Sequence, residues 1–184
     1  PKAAETDISV GKTGTPSADK KSVNYVVTAS TVNGTDGTVN VSDSLSFTGG
    51  VTGTYDQSSF TIYQVSASGT RAAVSGYAPA FAGSGFTISG LPALTAGQSY
   101  EIGYAADLTW TDGTNGYAAV NNSASGTSGT DSSSKWNSVT VSQEMISKQG
   151  NYNAYTQTAD WTVTVNADGR DVSGFALSDT LGGQ

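Results

Sequence analysis

Apolar and polar residues alternate with a period of two through most of the first three quarters of the chain, as in Val39-Asn40-Val41-Ser42-Asp43-Ser44-Leu45. That period is the signature of strands with one face buried and the other wet. It predicts strands over 8–12, 23–30, 38–45, 59–65, 85–89, 99–108, 117–124 and 136–142. Turn dipeptides separate them: Asn33-Gly34 with Asp36-Gly37, Gly49-Gly50, Leu91-Pro92, Ala96-Gly97, and Asp112-Gly113 with Asn115-Gly116. Ser125 to Ser134, built from Ser, Gly, Thr and one Asp, reads as a polar loop. No segment carries a convincing helical period, so the expected class is all-β, a sandwich or barrel.

The same alternation places polar groups on buried faces. Lys12 is in phase with Ile8 and Val10, Asp43 with Val39, Val41 and Leu45, and Asn122 with Val120 and Ala124. An unpaired buried charge costs several kcal/mol, so a chain that keeps these residues inside is expected to pair them. A lysine whose pKa is lowered by burial becomes a neutral nucleophile, and a protonated aspartate can polarise an asparagine carboxamide. Amine, carboxyl and carboxamide on neighbouring strands can therefore form an amide cross-link with loss of ammonia. Asn137 is also in phase, with Val139 and Val141, and is a second candidate acceptor; Asn121 has the opposite parity and would serve only across a bulge.

The chain also repeats itself. Lys12 and Lys148 sit in similar segments, each is followed thirteen residues later by an aromatic that opens a strand (Tyr25, Trp161), and each is followed 31 residues later by an aspartate (Asp43, Asp179). Three landmarks in one register predict an N-terminal linker over 1–6, a complete unit over 7–143 and the first third of a homologous unit over 144–184, as in a tandem array. The second unit contains no counterpart of Asn122, and its inward residues Trp161, Val163, Phe175 and Leu177 lack later strands to pack on. Completion of 144–184 by a polypeptide outside this chain is expected, with Lys148 bonded to a partner there.

Composition removes several functions. A net charge of −7 with only eight basic residues is wrong for nucleic acid. The absence of histidine removes His-based triads and His-ligated metals, and the absence of cysteine removes disulfides, for which a cross-link would substitute. No segment is apolar for long enough to span a membrane. No cofactor and no metal site is expected. Asp107, Asp112 and Asn115 follow no calcium-loop spacing and read as turn residues.

Four segments in order carry a family resemblance: Val10-Gly11-Lys12-Thr13-Gly14, Val41-Ser42-Asp43-Ser44-Leu45, Leu94-Thr95-Ala96-Gly97-Gln98-Ser99-Tyr100, and Val120-Asn121-Asn122-Ser123-Ala124. Together they resemble the collagen-adhesin A-type immunoglobulin-like domains, found in tandem in surface adhesins and pilins of Gram-positive bacteria. The resemblance implies an immunoglobulin-like β-sandwich, secreted and attached to the cell wall. It implies that Lys12 is the nucleophile, Asn122 the acceptor and Asp43 the acid/base of an isopeptide bond, with Asp179 equivalent to Asp43 in the second unit. Glu101 is a lesser candidate for the acid position. The expected role is a stalk or spacer that catalyses no reaction on external substrates and contacts neighbouring repeats. The alternative is a domain that grips a host protein or glycan, in a groove lined by Trp110, Tyr77 and Phe81.

Overall fold

A computed structural model describes residues 5–111, 116–169, 174–180 and 182. Asp112 and Asn115 of the candidate calcium set lie outside the described residues. Twelve strands are described: β1 Ser9–Pro16, β2 Ser22–Ser30, β3 Val39–Thr48, β4 Val51–Val65, β5 Arg71–Ala73, β6 Ala80–Ala82, β7 Gly85–Leu91, β8 Ser99–Trp110, β9 Gly116–Ser128, β10 Asp131–Gln143, β11 Ile146–Asn153 and β12 Thr158–Val165.

Two five-stranded antiparallel sheets, β1-β2-β8-β4-β5 and β10-β9-β3-β7-β6, form a sandwich. Strand β2 alternates without a break, with Val23, Tyr25, Val27 and Ala29 buried. From the other sheet Val39, Val41 and Leu45 of β3 and Val120 and Ala124 of β9 close the same core. The all-β expectation is met. The expected strands are all present, several of them longer, and 59–65 is the end of a strand that begins at Val51.

The expected loop over Ser125–Ser134 is instead a hairpin, with β9 running to Ser128, β10 starting at Asp131, and Ser125 paired with Ser134. Gly129 turns it with φ at 55°, a backbone region in which glycine carries no Cβ penalty. Small residues hide this strand in the sequence but suit its inner face, since a Cβ on Gly126 would come within 2.9 Å of Val10 Cγ2.

Strands β11 and β12 form a two-stranded sheet of their own. Trp161, Phe175 and Leu177 are 52%, 42% and 50% exposed, so the described residues leave about half of these side chains open. Asp168, just beyond β12, ties this sheet to the sandwich end, accepting from Lys20 Nζ at 3.1 Å and from the Glu144 amide at 2.9 Å.

Candidate functional site

The site is assembled from both sheets by strand register. In the first sheet Tyr25 of β2 stands opposite Tyr104 of β8, and opposite Gly14 of β1, two residues from Lys12. In the second, Asp43 of β3 pairs with Ala124 and Leu45 pairs with Asn122, so Asp43 and Asn122 are diagonal neighbours on one face. Closing the sandwich brings the two faces together. Lys12, Asp43 and Asn122 are all buried, the asparagine to 1% exposure.

Lys12 Nζ donates to Asp43 Oδ2 at 2.5 Å and to Tyr104 Oη at 2.6 Å. Tyr104 Oη donates to Asp43 Oδ2 at 2.6 Å and accepts from Asn122 Nδ2 at 3.1 Å. The second carboxylate oxygen, Oδ1, accepts from Tyr55 Oη at 2.7 Å. Lys12 Nζ also lies over the Tyr25 and Tyr104 rings, 4.8 and 5.2 Å from their centroids. A wall of Phe60, Phe81 and Phe86 backs Tyr55 and Tyr104, with Phe60 stacked on Tyr104 at 5.1 Å.

Burial lowers the Lys12 pKa, against the opposing pull of the Asp43 charge and hydrogen bond. Removing water from an ammonium favours the neutral amine, the form that attacks a carbonyl carbon. The Asn122 carboxamide is held by its nitrogen alone, and its Oδ1 is buried without a hydrogen-bond partner. An amine, a carboxyl and a carboxamide thus share one buried cluster, linked through Tyr104. These are the reactants for an amide cross-link.

The competing candidates fall elsewhere. Asn137 stands directly opposite Asn122 in the β9–β10 pair and shares its face. Its Oδ1 is directed to the neighbourhood of Gly14, where a Cβ would approach it to 2.8 Å. Asn121 points outward, accepting from Ser138 Oγ at 2.8 Å, so no bulge turns it inward. Glu101 is on the outer face, 2.8 Å from Arg71. Of the aromatics expected to line a groove, Trp110 borders a hollow with Lys20, Lys21 and Gln143, Phe81 borders another with Tyr55 and Ser84, and Tyr77 borders neither of these two. Among the described residues no cluster of three or more acidic side chains is placed to hold a metal ion, and no helix is long and apolar enough to cross a membrane.

Lys148 repeats the local geometry of Lys12. Its Nζ is 2.6 Å from Asp179 Oδ1 and 4.5 Å from the Trp161 ring centroid. Gly150 pairs with Trp161 as Gly14 pairs with Tyr25, and at both glycines a Cβ would meet the ring at 2.5 Å. The difference is exposure: Lys148 and Asp179 are open to solvent, whereas Lys12 and Asp43 are not.

The sequence patterns single out neither Tyr104 nor Tyr55. The available signal was a phenol in phase with Tyr100 and Ile102 on a strand facing two buried charges, since a buried hydroxyl needs a partner.

No protein-family model matches the sequence, and no curated protein matches it. Solved structures do match. The full-length major pilin SpaD of Corynebacterium diphtheriae superposes with a TM-score of 0.50 at 13% identity, over 77% of this chain and 36% of that one. The group B streptococcus pilus 2b backbone protein gives 0.49 at 16% identity, over 81% and 62%. ACE19, the collagen-binding subdomain of the Enterococcus faecalis surface protein ACE, gives 0.48 at 12% identity, over 73% and 96%. At 13% identity the likeness to SpaD is one of fold alone, an all-β sandwich, as the strand pattern of the sequence led one to expect.

Proposed function

We propose that this chain is a structural module of a Gram-positive surface adhesin or pilus, a secreted spacer stiffened by a self-made amide bond between Lys12 and Asn122. The observation that carries this reading is the buried Lys12–Asp43 pair joined through Tyr104 to the Asn122 carboxamide. A lysine and an aspartate fully withdrawn from water are costly as a merely structural pair, because desolvation offsets most of their attraction.

The reaction starts when Lys12 passes a proton to Asp43, leaving a neutral amine beside a neutral acid. The amine lone pair attacks Asn122 Cγ, the carbonyl pair moves onto Oδ1, and the Cγ–Nδ2 bond then breaks as ammonia leaves. Of the two protons lost by the lysine nitrogen, one ends on ammonia and one on Asp43. The domain is both catalyst and substrate and turns over once, so no external substrate is implied. In this reading 144–184 is part of a further repeat in a tandem stalk, completed by polypeptide outside it, with Lys148 and Asp179 in the places of Lys12 and Asp43.

Intact mass spectrometry of the purified chain tests the proposal. The mass falls short of the sequence mass by one ammonia, and digestion releases a branched peptide joining Lys12 to Asn122. Folded protein at its full sequence mass overturns the cross-link.

A further inference from the structure

The Tyr104 ring is packed into the aromatic wall, but its hydroxyl holds a place in the buried cluster that packing alone does not require. Its oxygen has one proton to give and two lone pairs to accept with, and all three are used. It donates to Asp43 Oδ2 and accepts from Lys12 Nζ and Asn122 Nδ2. Both accepted bonds come from nitrogens that change bonding in the cross-link. Tyr55 also reaches Asp43, but on Oδ1. That division leaves Oδ2 to the lysine and Tyr104.

We propose that Tyr104 is a catalytic residue of the cross-linking reaction, relaying a proton from Asp43 to the departing nitrogen of Asn122; the proposal rests on the amide-bond reading above. Amide nitrogen is a poor leaving group and must be protonated as its bond to carbon breaks. Asp43 holds the first lysine proton on Oδ2, and Tyr104 Oη stands between that oxygen and Nδ2. Once the amine has attacked, Nδ2 is no longer conjugated and becomes basic. Asp43 Oδ2–H then gives its proton to Tyr104 Oη while Tyr104 gives its own to Nδ2. The carboxylate so regenerated takes the second proton from the former lysine nitrogen. The Cγ–Nδ2 bond breaks, the carbonyl re-forms, and ammonia departs. Tyr104 ends as it began, and protons balance without any outside reagent. Burial, reinforced by the Asp43 charge, pushes the phenol pKa far up, so Tyr104 stays protonated and serves as a relay rather than a base.

Tyr104→Phe keeps the ring stacked on Phe60 and removes only the hydroxyl. Wild type and variant are made by cell-free synthesis, and intact mass is followed from the end of synthesis. The expected result is a folded variant that loses ammonia about 100-fold more slowly than wild type, the contribution typical of a positioned proton-transfer group. A folded Tyr104→Phe protein that loses ammonia at the wild-type rate overturns the relay while leaving the cross-link intact. A wild type that stays at full mass overturns the cross-link itself, so the two failures are distinguishable. Should the Phe variant not fold, 3-fluorotyrosine at position 104 preserves the shape and acidifies the phenol. A relay then gives an altered rate and pH profile, and an unaltered profile overturns it.

Discussion

Asn122→Ala separates the covalent tether from the rest of the buried cluster. The substitution removes the acceptor but leaves the bonds among Lys12, Asp43, Tyr104 and Tyr55 in place. A bond from residue 12 to residue 122 closes a loop of about 110 residues, and loop-closure entropy at that length is worth about 4.7 kcal/mol. The other losses are small. The hydrogen bond from Nδ2 to Tyr104 adds nothing to the difference, because in the cross-linked wild type Nδ2 has already left as ammonia. The buried Oδ1 has no partner, so deleting it relieves part of that cost. The net loss is about 5 kcal/mol, or about 15–25 °C in melting temperature for a domain of this size. Calorimetry gives the melting temperature, and intact mass taken on the same samples reports the bond. Asn137→Ala is the control: it retains the ammonia loss and melts far closer to wild type. The reasoning fails if wild type and Asn122→Ala both carry their full sequence masses and melt within a few degrees of each other. If Asn122→Ala still loses one ammonia, the acceptor is Asn137.

Two further outcomes follow from the same geometry. Asp43→Ala abolishes the ammonia loss and, by stranding Lys12 in a dry site, destabilises the domain beyond Asn122→Ala by up to about 3–5 kcal/mol in urea unfolding, less whatever the lysine recovers by shedding its proton; retention of the mass deficit would remove Asp43 from the chemistry. At the strand entrance, the Asp7 carboxylate accepts from the Val32 and Asn33 amides and from Thr31 Oγ1, and the Val32 and Asn33 bonds hold its pKa below the usual 3.8. A depressed carboxylate contributes stability above its unfolded value and loses it as pH falls through the folded one. Wild type is therefore more stable than Asp7→Asn at neutral pH, and the gap in melting temperature closes below about pH 4; a gap that persists unchanged in acid would contradict this.

Side-chain parity along a strand is a local property, so the sequence alone determined the strands, their buried faces, and the placing of Lys12, Asp43 and Asn122 among core residues. The equal spacing of Lys12 to Asp43 and of Lys148 to Asp179 likewise marked a repeated lysine–aspartate arrangement in the sequence itself. Parity fails where side chains are too small or too polar to mark a face. The hairpin through Gly129 looked like a loop for that reason, and the three-residue strands β5 and β6 are too short to show a period. Parity is also blind to lateral position. Asn122 and Asn137 share a face because their strands pair them directly, and the facing sheet distinguishes them by setting the Tyr104 hydroxyl, which also binds Lys12, against Asn122. The roles of Tyr104 and Tyr55 belong to that same level. Their phenols meet Asp43 across the sandwich, a contact between β8, β4 and β3 that exists only once the two sheets have stacked. Stacking also explains why the two lysine–aspartate pairs differ: one has a second sheet to exclude water, and the other, on a two-stranded sheet with its apolar side chains about half open, remains wet.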